Sequence, residues 1–229
     1  MRYGFIGVVL AVCLLFSGRV AAQDTSKILA IGDSLMAWHG VSGQSIADVV
    51  AKQLGEPVIN NSVGGAKIIH ALPITGALGM RIDSQFQPKG WDWVIMTGGG
   101  NDLFLGCGCK ACDRRMSRMI DPTGQTGDIP KLIARIRATG ARVVYIGYLR
   151  SPGVDSVIDV CLPFGNTLEE RITNMAQRDS GVTFLSLADL TPDGDRSMHG
   201  LDMIHPSVKA SRLIGTQVAR IIQKADKSR

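Results

Sequence analysis

Lys27-Ile28-Leu29-Ala30-Ile31-Gly32-Asp33-Ser34-Leu35 is an apolar run that stops at a glycine and two small polar residues. The apolar part has the length of a buried strand, and Gly-Asp-Ser is turn chemistry. A strand ending this way presents a serine hydroxyl at its carboxyl end. In an open α/β sheet that is the edge where ligands bind. The competing reading is a structural turn in which Asp33 or Ser34 caps a backbone N–H. For the stretch alone the structural reading is the better one, because short motifs recur by chance. The decision rests on what the rest of the chain brings to the same edge.

Four more short apolar runs follow, at residues 57–60, 93–97, 143–146 and 182–187. The third strand, Trp93-Val94-Ile95-Met96-Thr97, is apolar almost throughout, as expected of a strand covered on both faces. Helical patterns separate the runs. Ile46, Val49, Val50 and Leu54 recur at helical spacing over residues 42–54, and Gly55 is the stop. Residues 68–80 read as a broken helix or loop, interrupted by Pro73, Gly76 and Gly79. A helix opens at Asp128 with the stripe Leu132, Ile133 and Ile136, and ends by Gly140. Residues 151–165 read as a long loop. The next helix starts at Asn166, with Glu169 placed for a capping box. A last helix runs from Ser207 through Leu213, Ile214, Val218, Ile221 and Ile222. Five strands alternating with helices predict an α/β fold, a parallel sheet with helices on both faces.

The chain has 229 residues, enough for one domain with a sizeable core. Its first residues stand apart. Arg2 precedes an apolar run over residues 5–16, and Val20-Ala21-Ala22 offers small residues at a cleavage point. That is the pattern of a secretory signal peptide over residues 1–22. The run is shorter than the roughly 20 apolar residues of a membrane span. The expected mature chain is a single domain, residues 23–229, exported to the periplasm or secreted. Loss of Arg2 and Arg19 lowers the formal charge from +5 to +3, too mild to argue for nucleic acid. No later segment is apolar enough to cross a membrane. Nothing in the sequence speaks to oligomeric state.

Four cysteines remain after the signal: Cys107, Cys109, Cys112 and Cys161. In an exported chain an even number suggests two disulfides, with three possible connectivities. One zinc held by all four thiolates is the competing reading. Export and oxidation favour the disulfides, and either arrangement staples a loop.

Parallel strands all end at one edge of the sheet. Ser34, the turn Gly64-Gly65, Asn101 and the loop Asp202-Met203-Ile204-His205 each follow a strand, so topology brings them together. A serine hydroxyl is a weak nucleophile until a base takes its proton. His205 is the candidate base, and Asp202, three residues earlier, is spaced to hold the imidazole tautomer. The candidate oxyanion donors are the Ser34 N–H, the Gly65 N–H and the Asn101 side-chain amide. Each has a structural alternative: Asp202 as a helix cap, His205 as a satisfied polar residue before Pro206, Asn101 as a turn residue. His39 is placed to line a pocket. His70 and His199 read as surface or loop residues, with His199 the one rival base. No acidic residue joins these histidines at a metal-ligand spacing, and both P-loop and dinucleotide fingerprints are missing. No metal and no cofactor is therefore expected.

The blocks Gly32-Asp33-Ser34-Leu35, Asn60-Asn61-Ser62-Val63-Gly64-Gly65, Gly99-Gly100-Asn101-Asp102 and Asp202-Met203-Ile204-His205-Pro206 together resemble the SGNH, or GDSL-type, hydrolase family. They come in the family's order and span nearly all of the mature chain. The resemblance implies a flavodoxin-like three-layer α/β/α sandwich with a five-stranded parallel sheet. It implies esterase, lipase or thioesterase chemistry through a serine acyl-enzyme, acting on a small-molecule ester. The leading expectation is an exported esterase of a small acyl ester, with a carbohydrate O-acetyl group, a lipid or a thioester as the candidate substrates. Matched block by block, Ser34 is the nucleophile, His205 the base and Asp202 its partner, with Ser34, Gly65 and Asn101 as oxyanion donors. The Cys-rich stretch, residues 103–126, reads as a loop insertion outside the family's core, beside the site. Two alternatives remain open: a non-catalytic glycan- or lipid-binding module, and an acyltransferase using the same residues.

Overall fold

The computed structural model describes residues 26–153 and 156–227. The expected signal segment, residues 1–22, lies outside them. Five strands make one parallel sheet: β1 (Ile28–Ile31), β2 (Val58–Asn60), β3 (Trp93–Met96), β4 (Arg142–Ile146) and β5 (Val182–Leu185). Their order is β2-β1-β3-β4-β5, the flavodoxin-like doubly wound order. In register, Leu29 lies beside Ile59 on one side and Val94 on the other. Val144 lies between Ile95 and Thr183. The order reverses between β1 and β3, and a crevice opens at the carboxyl ends of such strands.

The helices are α1 (Ser34–Ala37), α2 (Ile46–Leu54), α3 (Pro73–Thr75), α4 (Ile82–Gln85), α5 (Gly100–Cys107), α6 (Asp113–Met119), α7 (Asp128–Arg137), α8 (Leu162–Ala176) and α9 (Val208–Asp226). Side chains alternate along each strand, which divides the core in two. Leu29, Ile31, Val94, Met96, Val143 and Tyr145 pack on one face with Leu103 of α5, Met116 of α6, Leu132 and Ile136 of α7, and Leu168 and Ile172 of α8. Ile28, Ala30, Trp93, Ile95, Val144 and Ile146 pack on the other with Ile46 and Val50 of α2 and Ile214, Val218 and Ile222 of α9. Both faces are covered, which is why the strands read as unbroken apolar runs. Full burial of one such side chain contributes about 1.5–3 kcal/mol.

Local chemistry moves several boundaries. The helix expected over residues 42–54 begins at Ile46, because Ser45 and Asp48 form a reciprocal capping box there. Gly40–Ser42 makes a separate 3-10 turn before it. The helix expected from Asn166 begins at Leu162, with Pro163 in its first turn, where the missing N–H costs nothing. Glu169 is therefore interior to α8 and caps nothing. Its carboxylate accepts from Ser186 Oγ at 2.8 Å and pairs with Arg150 at 3.1 Å.

The Cys-rich stretch also departs from the expected loop. It folds as α5 and α6, and Leu103, Cys109, Cys112, Met116, Met119 and Ile120 are buried in the core. The cysteines pair as Cys107–Cys112 and Cys109–Cys161. The first bridge closes the α5–α6 turn. The second ties that turn to the start of α8.

Candidate active site

Ser34 is the first residue of α1, directly after the β1 turn. Helix geometry leaves its N–H without an intrahelical acceptor. Asp33 is the N-cap, with Oδ1 accepting from the Leu35 N–H at 3.0 Å and Oδ2 accepting from the Tyr148 hydroxyl. Burial pushes the Asp33 carboxyl above its ordinary range, against the pull of the Tyr148 and Leu35 hydrogen bonds. Gly32 has φ +146°, and a Cβ there would lie 2.6 Å from Thr97 Cγ2 and 2.9 Å from Thr97 O. Only glycine fits that approach to the end of β3. The Gln85 side chain accepts from Gly32 N–H at 2.6 Å and donates to Gly32 O and Gly79 O at 2.8 Å each. The serine thus stands on a turn pinned from both sides.

The Asp202–His205 loop is organised by one carboxylate. Asp202 Oδ1 accepts from the backbone N–H of Ile204 and of His205, both at 3.0 Å. Asp202 Oδ2 meets His205 Nδ1 at 2.6 Å. Partial burial pushes the Asp202 carboxyl up, but the hydrogen bonds from the His205 ring and the two backbone N–H groups outweigh it. The carboxyl is held below its ordinary value and stays ionised. Met203 takes up the left-handed backbone this tight loop needs, at φ +56°. The loop is held from outside as well. Gly200 N–H donates to His205 O at 2.8 Å, and Ser156 Oγ donates to Met203 O at 2.9 Å.

Two residues on the far side of Ser34 complete the support. The Trp38 N–H donates to Ser34 O at 2.9 Å. Its indole stacks on the His205 ring, with centroids 3.8 Å apart and planes 6° from parallel. His39 Nε2 lies 3.0 Å from Pro206 O, so His39 braces the loop after His205 and is absent from the cavity lining.

Asn101 sits in the first turn of α5 and donates its Nδ2 to Ala66 O at 3.0 Å. The next residue, Asp102, is fully buried and accepts from the Ile68 and Ile69 N–H groups at 2.8 Å each. Burial lifts its carboxyl to about 6, against those two N–H groups and Arg115 at 3.7 Å. Both side chains tie the segment after Gly65 to the head of α5. Gly65 itself has φ +77° and is half-buried.

A cavity of about 110 Å³ gathers Ser34, Asn101 and His205 in its wall. Asp202 stands behind His205, and Gly65 is outside the lining, one residue from the Ala66 carbonyl that holds Asn101. His199 was expected at the surface or in a loop. It lies in the loop but is 5% exposed, and its ring is absent from the cavity. Burial pushes its imidazole below the ordinary range. Among the described residues, no three His, Cys, Asp or Glu side chains gather as a metal site, and no helix is long and apolar enough to cross a membrane. Gln85, Tyr148 and the stacking of Trp38 were not legible in the sequence. Each acts over a long separation, and no local spacing marks it.

Comparison with known proteins shows the family. Residues 30–213 match the model of the GDSL-like lipase/acylhydrolase family, so the chain belongs to that family and is an ester hydrolase by class. Comparison with curated proteins gives no match. Among solved structures it is similar to Est24, a carbohydrate acetylesterase from Sinorhizobium meliloti, with TM-score 0.61 and 18% identity over 86% of this chain and 98% of that one. It is also similar to a carbohydrate esterase family 2 enzyme with a carbohydrate-binding domain from Corynascus thermopiles (Myceliophthora fergusii). There the TM-score is 0.59 and identity 17%, over 88% of this chain and 66% of that one. A third, TesA, has TM-score 0.56 and 19% identity over 84% and 96%. At these identities the likeness is one of fold.

Proposed function

We propose that the chain is an exported serine esterase working through Ser34, His205 and Asp202. Ser34 Oγ attacks the ester carbonyl carbon and passes its proton to His205 Nε2. Asp202, bonded to Nδ1, holds the tautomer and stabilises the imidazolium. The carbonyl oxygen becomes an oxyanion that accepts from the Ser34 N–H, the Gly65 N–H and the second hydrogen of the Asn101 amide. The tetrahedral carbon then expels the alcohol, which takes the proton from Nε2, and leaves an acyl-Ser34 ester. Water repeats the cycle, giving its proton to Nε2 and its oxygen to the acid product.

The observation that carries this reading is the 2.6 Å contact between His205 Nδ1 and Asp202 Oδ2, on a loop whose histidine shares one cavity with Ser34. Export is supported by the basic and apolar N-terminal pattern and by two disulfides, which persist in oxidising compartments. A fluorophosphonate probe is the test. The folded protein should be labelled, and peptide mapping should place the adduct on Ser34. A folded protein that stays unlabelled sinks the assignment and favours binding without turnover.

A further inference from the structure

The polar side chains in the wall of the cavity are those of the set already described: Asp33, Ser34, Asn101, Tyr148 and His205. The rest of the wall is glycine or apolar, including Leu103 and Phe104 of α5, Leu149, Ile158 and Leu168 of α8. An apolar cavity of about 150 Å³ takes up a benzene ring, so one of about 110 Å³ suits a group of roughly four to six carbons. An acetyl group would leave most of it empty.

Leu149, Ile158, Cys161 and Gly165 also line a neighbouring hollow of about 250 Å³. The two spaces share these residues, and Cys161 among them is tied by the Cys109–Cys161 bridge to a cysteine that is 4% exposed. The His205 side is open to solvent. His205 keeps a fifth of its side-chain surface, Trp38 is 37% exposed, and Leu201 beyond them is fully exposed. The departing alcohol must receive its proton from His205, so it leaves on this open side. The acyl group then occupies the apolar cavity. Leu105, Val157, Val160 and Leu162, chain neighbours of the lining residues, are exposed and carry the apolar character outward.

We propose that this cavity binds an acyl chain longer than acetyl, and that the Cys109–Cys161 bridge holds the wall that limits its length. The proposal rests on the Ser34 reading above.

The experiment uses the full-chain protein on two ester series: p-nitrophenyl esters from acetate to decanoate, and alkyl acetates of increasing alcohol length. In the acyl series kcat/KM should rise roughly fourfold per methylene up to about hexanoate and fall beyond it. The alcohol series should be nearly flat. Gly165 gives a filling variant that folds, since an added Cβ meets only Arg150 Nη1 at 3.8 Å and glycine is a poor helix former. Gly165→Leu should lower the hexanoate-to-acetate ratio of kcat/KM at least tenfold. Cys109→Ala/Cys161→Ala should flatten the fall beyond hexanoate.

A preference for acetate, or a length dependence confined to the alcohol series, overturns the proposal while Ser34 labelling stands. An unchanged ratio in Gly165→Leu overturns it too. No turnover of any ester together with no labelling is the separate failure of the Ser34 reading.

Discussion

The two disulfides should differ in worth, and the difference follows from loop length. Cys107–Cys112 spans 5 residues and Cys109–Cys161 spans 52. In the chain-entropy account, closing n residues removes about 2.1 + 1.5R ln n cal/mol/K from the unfolded chain. At 25 °C that is about 2 kcal/mol for the short bridge and about 4 kcal/mol for the long one. Alanine replaces each pair, because a serine hydroxyl at Cys109 or Cys112 would be buried without water. Each pair has at least one fully buried member, so the packing loss is similar and the loop term sets the ranking. Urea unfolding of the oxidised protein is the assay. With m of about 2.5 kcal/mol/M, the midpoint should fall by about 0.8 M for Cys107→Ala/Cys112→Ala and about 1.6 M for Cys109→Ala/Cys161→Ala. Equal shifts, or the reverse ranking at unchanged m, would refute the reasoning. So would four free thiols in the non-reduced mature protein.

Asp202→Asn should leave the fold intact and lower kcat by about 10³–10⁴, because the amide no longer holds His205 in its working tautomer; a loss under tenfold would remove Asp202 from the mechanism. His205→Ala should be crippled in ester turnover, whereas His199→Ala, buried outside the cavity, should keep activity within about tenfold and lose stability instead. Trp38→Leu should cost kcat rather than KM, since it removes the ring stacked on His205; a pure KM effect would contradict a role in holding the base. For Asp102 the sign is set by burial. Its folded-state carboxyl is raised to about 6 from 3.8, so the proton favours the fold, and this contribution is lost as pH rises through 6. Asp102→Asn should therefore destabilise more at pH 4 than at pH 7, by a difference on the order of 3 kcal/mol; urea midpoints of both proteins at the two pH values check it.

Strand ends were the legible part of this molecule. The five apolar runs announce the sheet, and parallel topology alone brings Ser34, Asn101 and His205 to one edge. The Asp202–His205 pair was readable because three residues suffice to turn a carboxylate onto the ring. What failed was local. Ser45 and Asp48 form a capping box with aspartate in place of the usual Glu or Gln, so α2 was begun too early. Pro163 was taken as a loop former although it sits where a helix tolerates it. In α5 and α6 the glycines and cysteines hid the helical spacing of Leu103, Met116, Met119 and Ile120, and the bridges that stabilise those helices have no period. Gln85 on Gly32, Tyr148 on Asp33 and Trp38 on His205 cross 53, 115 and 167 residues of chain, distances at which spacing carries no signal.

The central claim is that Ser34 is the nucleophile on a turn that the rest of the fold holds still. Ser34→Ala removes one oxygen and leaves Asp33, Gln85 and Trp38 with every bond described. The most direct measurement is p-nitrophenyl acetate hydrolysis by this variant beside wild type, with matched circular dichroism spectra and urea midpoints. Turnover should fall to the uncatalysed background while the midpoint is unchanged. Undiminished turnover in folded Ser34→Ala would contradict the account.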